Sequence, residues 1–264
     1  MRRIALFSDI HGNLVALDAV IADIAARGLT EMYCLGDLVG YGPDPAGVVD
    51  RIRMLGVPTI MGNYDEGIGN RRGECGCYYA TEQAKTDGAA SYSFTDAALD
   101  DADHRWLASL PHEIRLEIEG VRVLLAHGSP RKINEYLLPD RTDEQLARLA
   151  GQAKADVVCV GHVHIPYHRA MKDPDGVSVH YISSASVGKP KDGDSRAGWV
   201  EVVIGEASEV RSAAPSDVAA SSAGDVGAWV GAVVHRVTYD IEAVASAMRL
   251  AGLPETLADT LARA

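Results

Sequence analysis

Five short apolar runs in this chain each end on a side chain that can hold a metal ion. IALFS (residues 4–8) leads into Asp9-Ile10-His11, and MYCLG (32–36) into Asp37. TIMG (59–62) leads into Asn63, VLLA (123–126) into His127, and VVCVG (157–161) into His162-Val163-His164. An unbroken apolar run of this length fits a strand buried on both faces. The C-terminal edge of such strands is where open α/β sheets bind ligands. Taken singly, Asp9 or Asp37 reads as a helix cap or turn residue and Asn63 as a turn residue. A lone histidine reads as a hydrogen-bonded loop residue, and His104, His112, His168, His180 and His235 keep that reading. Seven such groups at five strand ends are explained more economically by one shared metal centre.

The donor types narrow the metal. Asp, Asn and His without Cys form a hard-to-borderline set that suits Mn²⁺, Fe, Zn²⁺ or Mg²⁺, with Ni also open, rather than Cu(I). Seven ligands exceed what one open catalytic ion needs but suit two. In a two-metal site about 3.5–4 Å across, a carboxylate and a hydroxide bridge the ions and both oxygens of a displacement at phosphorus are stabilised. The spacing alone does not say which Asp bridges.

Around these runs, βαβ and hairpin signals alternate, which predicts an α/β protein with helix-covered sheets. Strands are expected at 3–8, 32–35, 59–61, 156–160, 178–182 and 199–204, with a hairpin of 113–119 and 121–126 about Gly120. Helices are expected after Asn13, over 46–55, 78–85 and 102–110, and from a capping box at Thr142 to about Gln152. The Ala/Ser/Gly-rich stretch from Gly205 to Gly224 reads as a flexible loop. A strand over 233–239, a helix over 240–250 and a last helix beyond Pro254 are too small to hold their own core. One domain spanning 1–264, with a strand-helix-helix extension from about 233, is therefore expected.

Composition sets outer bounds. With 25 Lys+Arg against 37 Asp+Glu, the net charge of −12 opposes a nucleic-acid polymer surface or a polybasic membrane surface. A hydrophobic content of 47% supports a packed core. The N-terminal apolar stretch ends at Ser8, and no run approaches the roughly 18 apolar residues of a membrane span. A cytoplasmic protein is expected. Cys34 and Cys159 read as core thiols, and Cys75/Cys77 as an incidental C-x-C, since structural zinc takes four ligands.

The blocks D-x-H (Asp9/His11), G-D-x-x-x-Y-G (Gly36–Gly42), G-N-x-D (Gly62–Asp65), A-H-G (Ala126–Gly128) and G-H-x-H (Gly161–His164) resemble, in order, the motifs of the calcineurin-like metallophosphoesterase superfamily. The resemblance covers about residues 3–204. It implies a four-layer αββα sandwich, an α+β fold of two mixed β-sheets flanked by helices. By position it implies Asp9, His11, Asp37 and His164 as ligands of one metal and Asp37, Asn63, His127 and His162 as ligands of the other, with Asp37 bridging. Gly128-Ser129-Pro130-Arg131 and Ser186-Val187-Gly188-Lys189-Pro190 suggest the small prokaryotic branch of phosphodiesterases and phosphatases. Asn63, His127, Tyr64 and Asp65 are the candidate catalytic residues.

Two departures stand out. The family motif is usually G-N-H-[DE], with a histidine thought to protonate the leaving oxygen, and here that position is Tyr64. A phenol with a pKa of about 10 is a poorer acid near neutrality than an imidazole of about 6.5. Tyr64 then favours good leaving groups, stacks on a substrate ring, or simply packs. Ser183-Ser184-Ala185 replaces the branch's usual Asn-Pro-Gly. For a substrate phosphate, Arg131, Arg71 and Arg72 are the candidate cations. Lys189, Lys191 and Arg196 form another cluster, weakened by the interleaved Asp192 and Asp194.

The expected reaction is hydrolysis of small phosphoesters, diesters first, by in-line attack of a hydroxide bridging two divalent ions, Mn foremost, with no covalent intermediate. Asn63 and His127 would help hold the phosphoryl oxygens. No G-x-S-x-G elbow or P-loop supports another hydrolase class. A phosphomonoesterase, a protein Ser/Thr phosphatase, or a catalytically weak metal-binding interaction module are the rival readings.

Overall fold

Along strand β1 (Arg2–Phe7) successive side chains enter different layers. Ile4 and Leu6 join a core with Leu125, Val157 and Ile182, while Ala5 and Phe7 join one with Leu17, Val20 and Ile24 of helix α1 (Leu14–Ala26). The period-two alternation of a strand thus sorts a continuous apolar run onto two buried faces. Strand β4 (Val121–Ala126) does the same on the other side. Val123 and Leu125 face the first core, and Leu124 packs with Leu146 and Leu149 of α6 (Asp143–Ala153). The layers are therefore helix, sheet, sheet, helix.

The computed structural model describes residues 1–213, 220–224 and 226–263. Among these, one sheet has the order β2-β1-β8-β10-β9, with β2 (Met32–Cys34), β8 (Ala197–Gly205), β10 (Trp229–Val237) and β9 (Ser221–Ser222). The other runs β3-β4-β5-β7-β6, with β3 (Glu113–Ile118), β5 (Val157–Val160), β7 (Ser178–Ser183) and β6 (Tyr167–Lys172). Both are mixed. β1–β2, β4–β5 and β5–β7 pair parallel, and the other pairs are antiparallel. This is the expected αββα sandwich. Among the described residues no helix is long and apolar enough to cross a membrane.

Some elements differ from the sequence expectation. Residues 59–61 form no strand, only a single bridge of Thr59 with Cys34, because Pro58 has no N–H to extend the ladder and the chain turns at Gly62 into α3 (Asn63–Gly69). The helix expected over 78–85 begins instead at Glu82, where Thr81 accepts from the Ala84 N–H at 3.1 Å, and runs to Ala98 as α4. Part of the stretch expected as a loop is ordered as α7 (Ala207–Ala213) and β9, and the loop reading of 214–219 lies outside the described residues.

β10 starts at Trp229 and pairs with β8 from Trp229↔Gly205 to Val237↔Ala197. α8 (Ile241–Leu250) and α9 (Glu255–Leu261) then fold over Tyr41, Phe94 and Tyr239. Glu201 of β8 ties the three neighbouring strands together. Its carboxylate, 4% exposed, accepts from Arg3 of β1 at 2.5 Å and from His235 of β10 at 2.9 Å. Burial pushes that carboxyl up, but the His235 and Arg3 hydrogen bonds outweigh it and hold the pKa at about 2. A depressed carboxyl contributes stability above its unfolded pKa of about 4.3 and loses it as pH falls through the folded value. Glu201→Gln is therefore expected to cost about 1–3 kcal/mol at pH 7. Urea titrations should show that difference shrinking from about pH 4.3 down to about 2, and a difference constant with pH would contradict this role.

Candidate metal centre

The turns after β1, β2, β4 and β5 and the start of α3 converge at one end of the sandwich. Asp9, His11, Asp37, His162 and His164 all adopt left-handed backbone, with φ of 53, 50, 56, 67 and 60°. Asp and His tolerate this region better than most residues, yet each still costs on the order of 1 kcal/mol. The strain is held by interlocked turns: the Asp9 N–H donates to the Gly36 carbonyl at 2.9 Å, the His11 N–H to Asp37 at 3.0 Å, and the Gly188 N–H back to Asp9 at 2.9 Å. Gly62 is required for close approach, because a Cβ there would collide with the Asp37 nitrogen and Oδ1.

All seven predicted ligands are brought together, none more than 3% exposed. Asp9, His11 and His164 form one group and Asp37, His127 and His162 a second, each with its donor atoms within 4.8 Å of one another. Asp37 reaches both, its Oδ2 lying 3.6 Å from His11 Nε2 and 3.4 Å from His127 Nε2. Asn63 Oδ1 lies 3.1 Å from His127 Nε2.

Three imidazoles are oriented by backbone carbonyls. His11 Nδ1 donates to Val39 at 3.0 Å, His127 Nδ1 to Leu35 at 2.7 Å, and His164 Nδ1 to Lys189. Each Nε2 then faces inward, and a neutral ring presents a lone pair there, the usual arrangement behind a metal-bound histidine. Those lone pairs meet one another and carboxylate oxygens: His11 and His164 Nε2 are 3.3 Å apart, and His164 Nε2 is 3.3 Å from Asp9 Oδ1. His162 Nε2 is buried without a partner. Asn63 adds another acceptor, since its Nδ2 donates away to the Cys75 carbonyl and Cys77 Sγ. A buried ring of acceptors facing acceptors is unfavourable unless cations lie between them. The residues fit divalent metal ions.

The charge states divide the ring. Burial pushes His11 and His162 down to about 3, leaving both neutral. For His127 burial works the same way, but Asp37 and Asp9 outweigh it and raise the pKa to about 9, so without metal its Nε2 carries a proton that a metal ion would replace. Burial would raise Asp9 and Asp37, yet the facing histidines hold both below the usual carboxylate range. Ser8 Oγ donates to Asp9 at 2.5 Å, and the His162 N–H donates to it at 3.1 Å.

Other candidate residues are placed less directly. Asp65 points away from the acceptor ring. Its carboxylate accepts from the Asp37, Leu38 and Gly62 N–H groups at 2.8, 2.9 and 2.9 Å, so it clamps the Asp37 turn rather than meeting a substrate. Tyr64 is 1% exposed, with its ring packed on Gly40 and edge-on to His11 at 5.4 Å. No open face remains there for a substrate ring to stack on. Burial also drives its hydroxyl well above 10, making it a still weaker acid.

The three arginines considered for phosphate are engaged elsewhere. Arg131 binds Glu135 at 2.7 Å, Arg71 binds Asp101, and Arg72 binds Glu66 at 2.8 Å. The cations beside the centre are instead Lys189 and Lys191. The Lys189 carbonyl holds His164, its ammonium lies over the Tyr41 ring at 4.8 Å, and the Lys191 N–H donates to the His164 carbonyl at 3.3 Å. Asp192 and Asp194, whose charges count against this cluster in the sequence, pair with Arg236 and Arg196.

Comparison with known proteins agrees with this geometry. The family model of the calcineurin-like phosphoesterase superfamily domain matches residues 1–209. An uncharacterized protein of Methanocaldococcus jannaschii is 34% identical over 208 residues, covering 74% of this chain and 80% of that protein. The crystal structure of a metallophosphoesterase from Sphaerobacter thermophilus superposes with a TM-score of 0.69 at 28% identity, covering 99% of each chain. A hypothetical protein from Pyrococcus horikoshii shares the fold, with a TM-score of 0.75 at 20% identity over 99% of this chain and 98% of that one.

Proposed function

The chain belongs to the calcineurin-like phosphoesterase superfamily, and from that premise we propose that it hydrolyses small phosphoesters, diesters in preference to alkyl monoesters, with two divalent metal ions, Mn²⁺ foremost. The observation that carries this is the buried ring of inward-facing acceptors that Asp37 joins into one centre. Bound there, divalent ions supply positive charge for the phosphoryl oxygens and lower the pKa of water.

This chain's own residues supply the rest. Val39, Leu35 and Lys189 carbonyls fix three imidazoles in the tautomer that leaves Nε2 inward. Asp65 fixes the turn that carries Asp37, and Cys75 and Cys77 turn the Asn63 amide so that its oxygen faces the centre. Tyr64 buttresses the His11 ring and brings no proton donor of useful pKa, so the leaving oxygen must depart without help from this position. Substrates with acidic leaving groups are then favoured.

The test is hydrolysis of bis-p-nitrophenyl phosphate by the Mn²⁺-loaded protein, beside p-nitrophenyl phosphate and a phosphoserine peptide. Diester turnover exceeding the other two is expected. No turnover of any of them, with metal bound by elemental analysis, would favour a binding module, and faster peptide turnover would favour a protein phosphatase. Tyr64→His is expected to raise alkyl monoester turnover by about 100-fold, the low end of general-acid effects. Unchanged alkyl monoester turnover would remove the leaving-group argument.

A further inference from the structure

Beside the metal centre the loop 189–191 and the end of α9 enclose a groove of about 200 Å³ lined by Lys189, Pro190, Lys191, Thr260, Leu261 and Arg263. Its cations make few ion pairs for so acidic a chain. Among the described residues neither lysine lies within ion-pair distance of a carboxylate. Asp87, whose charge acts on Lys189, is occupied by Thr256 at 2.7 Å and Gln83 at 2.8 Å. Arg263 meets Asp259 only loosely, at 3.6 Å on an exposed surface, where such pairs contribute little. It also sits where the carbonyl end of α9 would otherwise repel an anion.

The groove borders the centre, since the charges of Asp9 and Asp37 act on Lys191 in its wall. Lys189, Thr260 and Leu261 also line a second, smaller cavity whose other walls include His11 and Tyr41. That cavity measures about 10 Å³, room for about one water. Its apolar walls, Val244, Met248 and Leu257, therefore leave no space for part of a substrate. The available space lies on the cationic side, and both lysines are tethered to His164, a member of the acceptor ring.

We infer that this groove is a subsite for a second phosphoryl group, so that the preferred substrates carry two linked phosphates, one at the metal centre and one between Lys191 and Arg263. The inference rests on the hydrolase reading only in calling the occupant a substrate. Lysine serves as a point charge for phosphate, with Thr260 available as a hydroxyl donor. Lys191 also acts on Asp9 and Asp37, so it stands between the two phosphate positions, and Arg263 is the cation that belongs to the groove alone.

Two probes that cannot be hydrolysed test it on the Mn²⁺-loaded full chain: methylenediphosphonate, with two phosphorus centres, and methylphosphonate, with one. Calorimetry should give the diphosphonate about tenfold or more tighter binding. Lys191→Ala and Arg263→Ala should each cut that ratio severalfold, and Lys191→Arg should restore most of it. Lys191 and Arg263 are exposed, so these variants should fold. Equal affinities for the two probes, or a ratio unaffected by both alanine variants, would overturn the subsite. Hydrolysis is decided separately by bis-p-nitrophenyl phosphate: a protein that binds the diphosphonate through Lys191 but turns over no ester keeps the subsite and loses the hydrolase reading.

Discussion

Asp37→Asn is expected to lower kcat/KM on bis-p-nitrophenyl phosphate by about 10³-fold or more. Its Oδ2 is the atom that faces both His11 and His127, so removing its charge weakens both halves of the centre at once. Metal ions contribute several kcal/mol to such reactions, and each tenfold in rate corresponds to about 1.4 kcal/mol. The fold should survive, because Asn retains an oxygen for the Tyr64 N–H, which donates to Asp37 Oδ1 at 2.8 Å. The buried Asp37–His127 pair is lost with the charge, so the metal-free variant should be less stable than the metal-free parent at pH 7. Elemental analysis should find fewer than two ions per chain. A variant holding two ions and working within tenfold of the parent would show that Asp37 does not join the two groups.

Metal affinity is expected to rise steeply with pH across neutrality. Asp37 and Asp9 hold the His127 proton up to about pH 9, whereas His11 and His162, at about 3, have none to lose. A divalent ion on His127 must displace that proton, so affinity should climb about tenfold per pH unit, or about 100-fold between pH 6 and 8. The linkage has a definite sign. A histidine with a raised pKa stabilises the folded metal-free chain fully below its unfolded value of about 6.5, and that contribution is lost as pH rises through about 9. Metal stabilisation and proton stabilisation thus trade places over the same window. Calorimetric titrations at pH 7 in buffers of different ionisation enthalpy should register close to one proton released on binding. An affinity that does not change with pH, with no proton release, would contradict the placement of His127 between two carboxylates.

The seven acceptors were legible in the sequence because their chemistry is intrinsic to the residue type and their positions are marked by buried strands, which announce themselves as apolar runs. Arg131, Arg71 and Arg72 were not, since an arginine's availability depends on which carboxylate reaches it first. Glu135, Asp101 and Glu66 reach these three. The converse holds for Lys189 and Lys191. Asp192 and Asp194 neighbour them in sequence, but Arg236 on β10 engages both. A contact across that many residues leaves no local trace. α3 escaped for a different reason: Gly67 and Gly69 depress its helix propensity, and it is held by Asp65 capping the Gly62 N–H and by the packing of Tyr64 and Ile68. Asp65 and Tyr64 belong to the metal centre's motif and yet serve its scaffold, a distinction that burial and hydrogen bonds reveal and side-chain type does not.

The strand order of the first sheet carries a consequence for synthesis. β1, which delivers Asp9 and His11, is flanked by β2 on one side and by β8 on the other. At about 5–20 residues per second, roughly 10–40 s separate the emergence of β1 from that of β8. Until then Ile4 and Leu6 lack their antiparallel neighbour, and an apolar strand edge stays open to pairing with other chains. The segment that closes it, β8 followed by β10, comes after every residue of the metal centre. A growing chain that already contains all seven candidate ligands therefore still has an unsealed sheet, and chaperone demand should peak late in translation.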